Sequence, residues 1–263
     1  MTRFFHPLFL PLLLLGLFAC FAQPSFSQTG SGEAPLVIEA EKALEWDQTN
    51  KFYRASGEAL AEQGDQRITA DIITAFYEEA GEDRDITRIE ATGQVVLVND
   101  GQTARGPRLD YELDSGSWQL SGGPASLTTA DGLAEAGQSI TYLTQKREVV
   151  LLGAGRITLQ DGRLLQGDKL IVLLDEEDAI DQILGEGNVR VRQPNGQLAT
   201  ADKADYRASS GTALLTGRVQ MRDGRNILNG NRAEIDFNEG VNRMLPGPSG
   251  RVTGRLVLSG GDG

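Results

Sequence analysis

Beyond a short N-terminal stretch the chain contains neither cysteine nor histidine. The single Cys and single His among 263 residues are Cys20 and His6. Without them a mature chain has no disulfide staple, no thiol nucleophile, no His-based triad and no ordinary zinc site. Aromatic residues are scarce too, at 6%. An apolar interior must therefore come from Leu, Ile, Val and Ala, which suits thin sheet layers better than a bulky core. Positive charge is short: 25 Lys and Arg stand against 37 Asp and Glu, a net charge of −12. That balance argues against nucleic acid, whose binding rests on cations neutralising phosphates, and equally against docking on an anionic membrane surface. Helical periodicity is missing as well. The segment Asp175-Glu176-Glu177-Asp178-Ala179-Ile180 offers one helical turn and no more.

One long apolar run is present, Leu8 to Phe21, broken only by Pro11 and Gly16 and preceded by Arg3. It reads as a secretory signal peptide over residues 1–27, too short and too weakly flanked for a membrane span. Cleavage after Ser27 or after Ala22 fits a small-x-small site. Leu17-Phe18-Ala19-Cys20 loosely resembles a lipoprotein box, for which Phe18 is too bulky. Either small-residue site leaves an exported chain expected to be soluble. Residues 28–35 read as a flexible start and 259–263 as a disordered tail.

Between these ends a pattern repeats. Glycine followed by alternating apolar residues occurs at Gly57-Glu58-Ala59, Gly93-Gln94-Val95-Val96-Leu97, Gly123-Pro124-Ala125 and Gly155-Arg156-Ile157-Thr158-Leu159. It returns at Gly187-Asn188-Val189-Arg190-Val191, Gly217-Arg218-Val219-Gln220-Met221 and, more weakly, Gly250-Arg251-Val252. The period is roughly 30 residues, within the range of repeat architectures. A second block, opening mostly on a small residue, lies between copies of the first. It appears at Ala70-Asp71-Ile72-Ile73, Gly106-Pro107-Arg108-Leu109-Asp110-Tyr111, Gly167-Asp168-Lys169-Leu170 and Ala201-Asp202-Lys203-Ala204-Asp205-Tyr206. Both blocks alternate with period 2, the mark of a half-buried strand. Acidic or glycine-bearing turns join them, among them Asp114-Ser115-Gly116, Pro194-Asn195-Gly196 and Asn238-Glu239-Gly240. A unit of two or three strands with one apolar face cannot bury that face alone, whereas stacked units bury a continuous strip. The expected fold is all-β, either a solenoid or an open roll of two facing antiparallel sheets.

Chemistry-bearing motifs are thin. Gly153-Ala154-Gly155 and Gly185-Glu186-Gly187 sit in strand turns, not ahead of a helix, so they carry no nucleotide-binding meaning. Asp131-Gly132, Asp161-Gly162 and Asp223-Gly224 match hairpins better than a calcium loop. The acids fall in turns or alternate outward, unlike the paired carboxylates of a glycosidase. No cofactor is expected. Arg156, Arg190, Arg192, Arg218 and Arg251 recur beside the Gly-x-Val block. They read as a solvated face that balances nearby carboxylates, with phosphates at the rim of a groove as the other possibility.

The paired blocks, and the opening Leu36-Val37-Ile38-Glu39-Ala40-Glu41-Lys42-Ala43-Leu44-Glu45-Trp46, resemble the periplasmic lipopolysaccharide-transport family known as LptA or OstA-like. The resemblance spans residues 36–258. It implies an elongated, twisted antiparallel β-jellyroll with an apolar interior groove and no catalytic centre. It also implies a periplasmic bridge that carries lipopolysaccharide from an inner-membrane export complex to an outer-membrane insertion complex.

Such a carrier needs an apolar trough. Protein and lipopolysaccharide are both negative, so affinity has to come from burying acyl chains, each CH₂ contributing about 0.8 kcal/mol. The inward positions expected to form the trough are Leu44, Trp46, Ile73, Val95, Leu97, Leu109, Tyr111, Ile140, Tyr142, Ile157, Leu159, Leu170, Val172, Val189, Val191, Tyr206, Val219, Met221 and Ile235. Taken one at a time, each reads first as plain packing between sheets; only the strip as a whole, flanked by open ends, argues for a groove. Open edges at Leu36–Leu44 and Gly250–Leu258 are expected to receive strands from the inner-membrane anchored and outer-membrane partners, or from a second copy in head-to-tail fashion. The competing function is an exported β-solenoid that binds or degrades polysaccharide. It calls for aromatic platforms and clustered inward carboxylates.

Overall fold

A computed structural model describes residues 34–81, 83–247 and 250–257. The leader with Cys20, the segment 28–33, Leu258 and the tail 259–263 lie outside the described residues. The strands open with β1 (Val37–Glu39), β2 (Ala43–Asp47), β3 (Phe52–Gln63), β4 (Gln66–Ala80), β5 (Asp83–Asn99) and β6 (Gln102–Glu112). Next come β7 (Ser117–Ser121), β8 (Ala125–Thr129), β9 (Gly132–Ala136), β10 (Ser139–Leu143), β11 (Glu148–Leu159) and β12 (Leu164–Leu174). The last are β13 (Ile180–Arg192), β14 (Leu198–Arg207), β15 (Thr212–Asp223), β16 (Asn226–Asp236), β17 (Val241–Leu245) and β18 (Thr253–Arg255). All belong to one 18-stranded sheet, and every pairing is antiparallel. Of the two architectures left open by the sequence, the roll of successive hairpins is the one formed. The expected helical turn at Asp175–Ile180 is an ordinary turn, and a 3₁₀ turn lies instead at Thr144–Lys146.

The sheet is folded over on itself along a line that crosses every long strand. At that line β3, β5, β11, β13 and β15 carry a bulge whose first residue is a glycine, Gly57, Gly93, Gly153, Gly187 and Gly217. On β11 it is Gly153 and not the expected Gly155, and Gly123 and Gly250 lie outside the strands. Register slips between Ser56 and Ala59, Thr92 and Val95, Leu152 and Gly155, Glu186 and Val189, and Thr216 and Val219. Gly217 has φ +77 and the following Arg218 φ +46, so two consecutive residues in the left-handed region turn the strand through the corner. The second block supplies the residue opposite. A Cβ on Gly217 would stand 2.5 Å from the Asp202 carboxylate, itself bound by the Arg218 guanidinium. Glycine is required here on two counts, conformation and space.

The corner divides each long strand between two leaves. The first leaf runs from β1 through the β8 and β9 half-strands to β18; the second runs from β2 through β7 and β10 to β17. Thus β6 pairs with β8 in one leaf and β7 in the other, while β11 pairs with β9 and β10. Alternation then sends one side of every strand between the leaves. Ala55, Ala59, Ile73, Ala91, Val95, Leu109, Ile140, Leu170, Val189, Leu215 and Val219, all near the corner, are almost wholly buried there. Alanines and glycines in this layer let the leaves approach. A Cβ on Gly155, Gly167 or Gly185 would come within 3.4 Å of the Leu170 side chain. The inner angle of the roll is consequently filled with side chains.

Two substitutions separate conformation from space. Gly217→Ala should lower stability by about 1–2 kcal/mol from the backbone alone, and by more once the Asp202 carboxylate is displaced. Gly196→Ala, at φ +89 in an open turn, should cost the backbone component alone, about 1–2 kcal/mol. The urea midpoint at constant slope measures both.

Candidate functional site

Away from the corner the two leaves diverge, and the inward residues form a mouth. On the second leaf, register places Tyr111, Trp118, Tyr142, Val149 and Val172 in one cross-strand row. Facing it on the first leaf is the row Ala104, Leu127, Ala134 and Ile157. The rings of Trp118 and Tyr142 lie 6.0 Å apart and tilted. Between the rows opens a cleft lined by Trp118, Leu127, Leu133, Tyr142, Val149, Ile157, Leu159, Val172, Leu174 and Ile180, with Asp131 and Asp178 at its margin. It holds about 640 Å³ of empty space, counting the solvent at its opening. A smaller recess of about 360 Å³ continues along the mouth, walled by Leu159, Leu165, Ile183, Val191, Ala213, Tyr206 and Phe237.

Polar ties that cross from leaf to leaf delimit the cleft. Tyr111 Oη donates to Gln66 Oε1 at 3.2 Å. Arg163 Nη1 donates to Tyr206 Oη at 3.2 Å, and its guanidinium lies 4.7 Å from the centre of the Phe237 ring. Asn242 Nδ2 donates to Gln197 Oε1 at 3.1 Å. The cleft occupies the span between the first two of these ties. Nearer the N-terminal end the mouth is filled by stacked aromatics. Trp46, Tyr53 and Tyr77 follow one another at 5.9 and 5.3 Å, Trp46 Nε1 donates to Tyr77 Oη, and Arg84 covers the Trp46 face.

The expected trough residues fall into three groups. Ile73, Val95, Leu97, Leu109, Ile140, Ile157, Leu170, Val172, Val189, Val191, Val219, Met221 and Ile235 are buried between the leaves. Tyr111, Tyr142, Leu159 and Tyr206 are half-buried at the mouth. Leu44 and Trp46 are 61% and 45% exposed. They occupy inward positions on β2, but among the described residues no further strand covers them. Only Tyr142, Ile157, Leu159 and Val172 line the main cleft. Trp118, Leu127, Leu133, Val149, Leu174, Ile180 and Arg163 escaped the sequence reading. The signal available was register: Trp118 pairs with both Tyr111 and Tyr142.

The interior is apolar throughout: among the described residues the buried polar side chains are Thr74 and Ser139. Among them no group of three or more His, Cys, Asp or Glu side chains could hold a metal. Burial raises the phenol of Tyr111 above its ordinary value against the opposing bond to Gln66. Burial, then the Asp178 carboxylate, raises Tyr142.

The fold and cleft define an open antiparallel β-jellyroll with an apolar slot between its leaves. A family model described as the LptA/LptD N-terminal domain, a lipopolysaccharide transport protein, matches residues 37–148 and again residues 144–241. The chain belongs to that family and carries two successive copies of its module. Among solved structures it is similar to LptH from Pseudomonas aeruginosa, a periplasmic LptA homologue of the lipopolysaccharide transport device. Identity is 14% over 59% of this chain and 83% of that one, with a TM-score of 0.26. No curated protein matches the chain.

The tyrosines supply a pH test. Because folding raises the values of Tyr111 and Tyr142, the unfolded chain gives up these protons first. Their contribution is complete below the ordinary tyrosine value near 10 and is lost as pH rises through the folded values. Stability should therefore fall with rising pH in that range, and less steeply in the Tyr111→Phe/Tyr142→Phe variant, as read by urea midpoints.

Proposed function

We propose that this lipopolysaccharide transport protein works as a non-enzymatic periplasmic carrier that shields acyl chains in the cleft between Tyr111 and Tyr206. The carrying observation is an apolar slot left open between leaves that are sealed at the corner. Burial of alkyl chains at about 0.8 kcal/mol per CH₂ suits a protein whose net charge of −12 repels an anionic glycolipid. Within this reading Tyr142, Ile157, Leu159 and Val172 contact lipid directly. The more deeply buried members of the strip hold the leaves together and set the slot's width. A polysaccharide hydrolase would need inward carboxylates, whereas the inward rows here are aliphatic and aromatic.

The same reading assigns the sheet edges to partners. At the N-terminal end β1 and β2 pair only with β3 among the described residues, and Val37, Leu44 and Trp46 are exposed on them. At the other end β17 and β18 are open, with Val241, Val252, Leu256 and Val257 exposed on or beside them. Strand addition at these edges would join the carrier to an inner-membrane anchored component, to an outer-membrane component, or head to tail to a second copy. Export by the leader would deliver it to the periplasm.

A photo-crosslinking residue at Trp118, Tyr142 or Leu159 should label lipopolysaccharide in cells. The same residue at Thr141, which points outward and accepts from Gln119, should not. Equal labelling at Thr141, or none at the three mouth positions in folded protein, would overturn the carrier reading. Leu159→Asp should cut lipopolysaccharide binding at least tenfold with little change in the melting midpoint.

A further inference from the structure

The outer surface of the first leaf carries a row that the main cleft does not use; it ends on the edge strand β18, and at its start Leu164 also borders the smaller recess. Following register near its hairpin turns, Leu164 pairs with Arg192, Arg192 with Leu198, and Leu198 with Arg222. Arg222 then pairs with Ile227, and Ile227 with Arg255. Aliphatic and guanidinium side chains thus alternate strand by strand. Strands are about 4.8 Å apart, so successive arginines stand roughly 10 Å apart. The adjacent row, toward the corner, adds Arg156 and Arg190, joined through Gln166. Arg156, Arg190, Arg192, Arg222 and Arg255 are exposed, while Leu164, Leu198 and Ile227 are half-buried.

These arginines lack the counter-charges expected from the sequence. Arg218 does pair with Asp202 at the corner. Among the described residues, however, Arg156, Arg190, Arg192 and Arg222 form no ion pair. Arg156 reaches the neutral amide of Gln166 with that amide turned to accept, and Arg222 reaches Gln220. Glu135 stands opposite Arg156 in register without forming an ion pair, and Asp223 at the neighbouring turn accepts from Gln197. The outer surface of the second leaf is built differently. There Lys203 pairs with Glu186, Arg207 with Asp205 and Arg232 with Glu234. The acidic total hides a segregation, with unpaired guanidinium groups gathered on the first leaf of the second family module.

We propose that this arginine and aliphatic ladder docks on the surface of an anionic phospholipid bilayer. Cations attract the phosphate layer, an effect that decays within a Debye length. Leu164, Leu198 and Ile227 then enter the boundary between headgroups and acyl chains, as the apolar side of an interfacial element does. Guanidinium groups suit this role because they bind phosphate in a forked geometry and are weakly hydrated. Charge complementarity alone would also allow the acidic second leaf of another copy. The interleaved aliphatics favour a lipid surface, because they gain from leaving water while the arginines remain at phosphate depth.

Flotation of the exported, purified protein with vesicles tests the assignment. Vesicles of phosphatidylethanolamine with one-third phosphatidylglycerol should bind it at 50 mM salt and release it at 500 mM. Pure phosphatidylcholine vesicles should not bind it. Arg192→Glu/Arg222→Glu should reduce binding at least tenfold, and Leu164→Ser/Leu198→Ser severalfold. Arg192→Lys/Arg222→Lys should retain most of it, with melting curves confirming that each variant folds. Photo-crosslinking of lipopolysaccharide at Tyr142 should survive Arg192→Glu/Arg222→Glu, so failure here is distinguishable from failure of the carrier reading. Equal binding to both vesicle types, or no loss in the glutamate variant, would overturn the proposal. So would salt-sensitive self-association that the glutamate variant abolishes without any vesicle binding, which would give the face to a second copy.

Discussion

Everything in this molecule depends on each strand turning sharply once along its length. A flat antiparallel sheet of this many strands would expose one apolar face to water. The corner bulge folds that face inward, and on the long strands it does so at equivalent places because a glycine recurs there with a polar residue packed against it, Lys42, Asp71, Gln138, Asp168 or Asp202. The cost is local, two consecutive residues in the left-handed region at each bulge, and only the first of them is glycine. Glu58, Gln94, Asn188 and Arg218 hold φ between +43 and +47 without that freedom. Strain of this order, about 1–2 kcal/mol per residue, persists because the ladders on either side of the corner determine the path of the chain.

The same geometry decides which apolar residues pack and which remain accessible. Near the corner the leaves are close, and alanine and glycine face leucine and isoleucine. Leu170 has no room for a methyl group beside it at Gly155 or Gly167 without displacement. Farther out, larger side chains are needed to fill the widening angle, and the chain has few aromatics to spend. It places them at the N-terminal end as the Trp46, Tyr53 and Tyr77 stack, and as Tyr206 with Phe237 under Arg163. Between those plugs Trp118 and Tyr142 stand against Leu127, Ala134 and Ile157, which are too small to close the gap. The cleft is thus a place where widening outruns side-chain volume.

The strand pattern and the corner glycines Gly57, Gly93, Gly187 and Gly217 were legible in the sequence because both are local, set by period-2 alternation and by the recurring glycine. On β11 the repeat pointed to Gly155, whereas the bulge opens on Gly153. The division of the inward strip was not legible. Val189 and Tyr142 occupy equivalent alternating positions, yet one is sealed at the corner and the other lines the mouth. The difference is distance from the bulge combined with what stands on the opposite leaf. The polar ties are equally hidden. Gln66 meets Tyr111, Arg163 meets Tyr206 and Gln197 meets Asn242 across separations of 45, 43 and 45 residues. Their near-constant spacing reflects a turn on the first leaf reaching a strand end on the second, a relation visible only once the roll is closed. Leu164, Leu198 and Ile227 give no local signal of their own either; only register places them between arginines.

The two matches to the family model meet at residues 144–148, within the connection from β10 to β11. Pairing continues across that seam in both leaves: Ser139 through Leu143 pair with Leu152 through Glu148, and Gly132 through Glu135 with Leu159 through Arg156. The main cleft straddles it, drawing Trp118, Leu127 and Tyr142 from one module and Val149, Ile157 and Val172 from the next. Two separate chains would have to assemble such a slot by strand addition, at a population set by their concentration. Here the hairpin at Thr144–Lys146 makes the same pairing intramolecular, and covalent linkage of this kind replaces a bulk concentration by a high effective one. The junction between modules, ordinarily the weakest point of a chain of rolls, becomes as permanent as any other hairpin. A slot that spans it is consequently formed by folding and not by association.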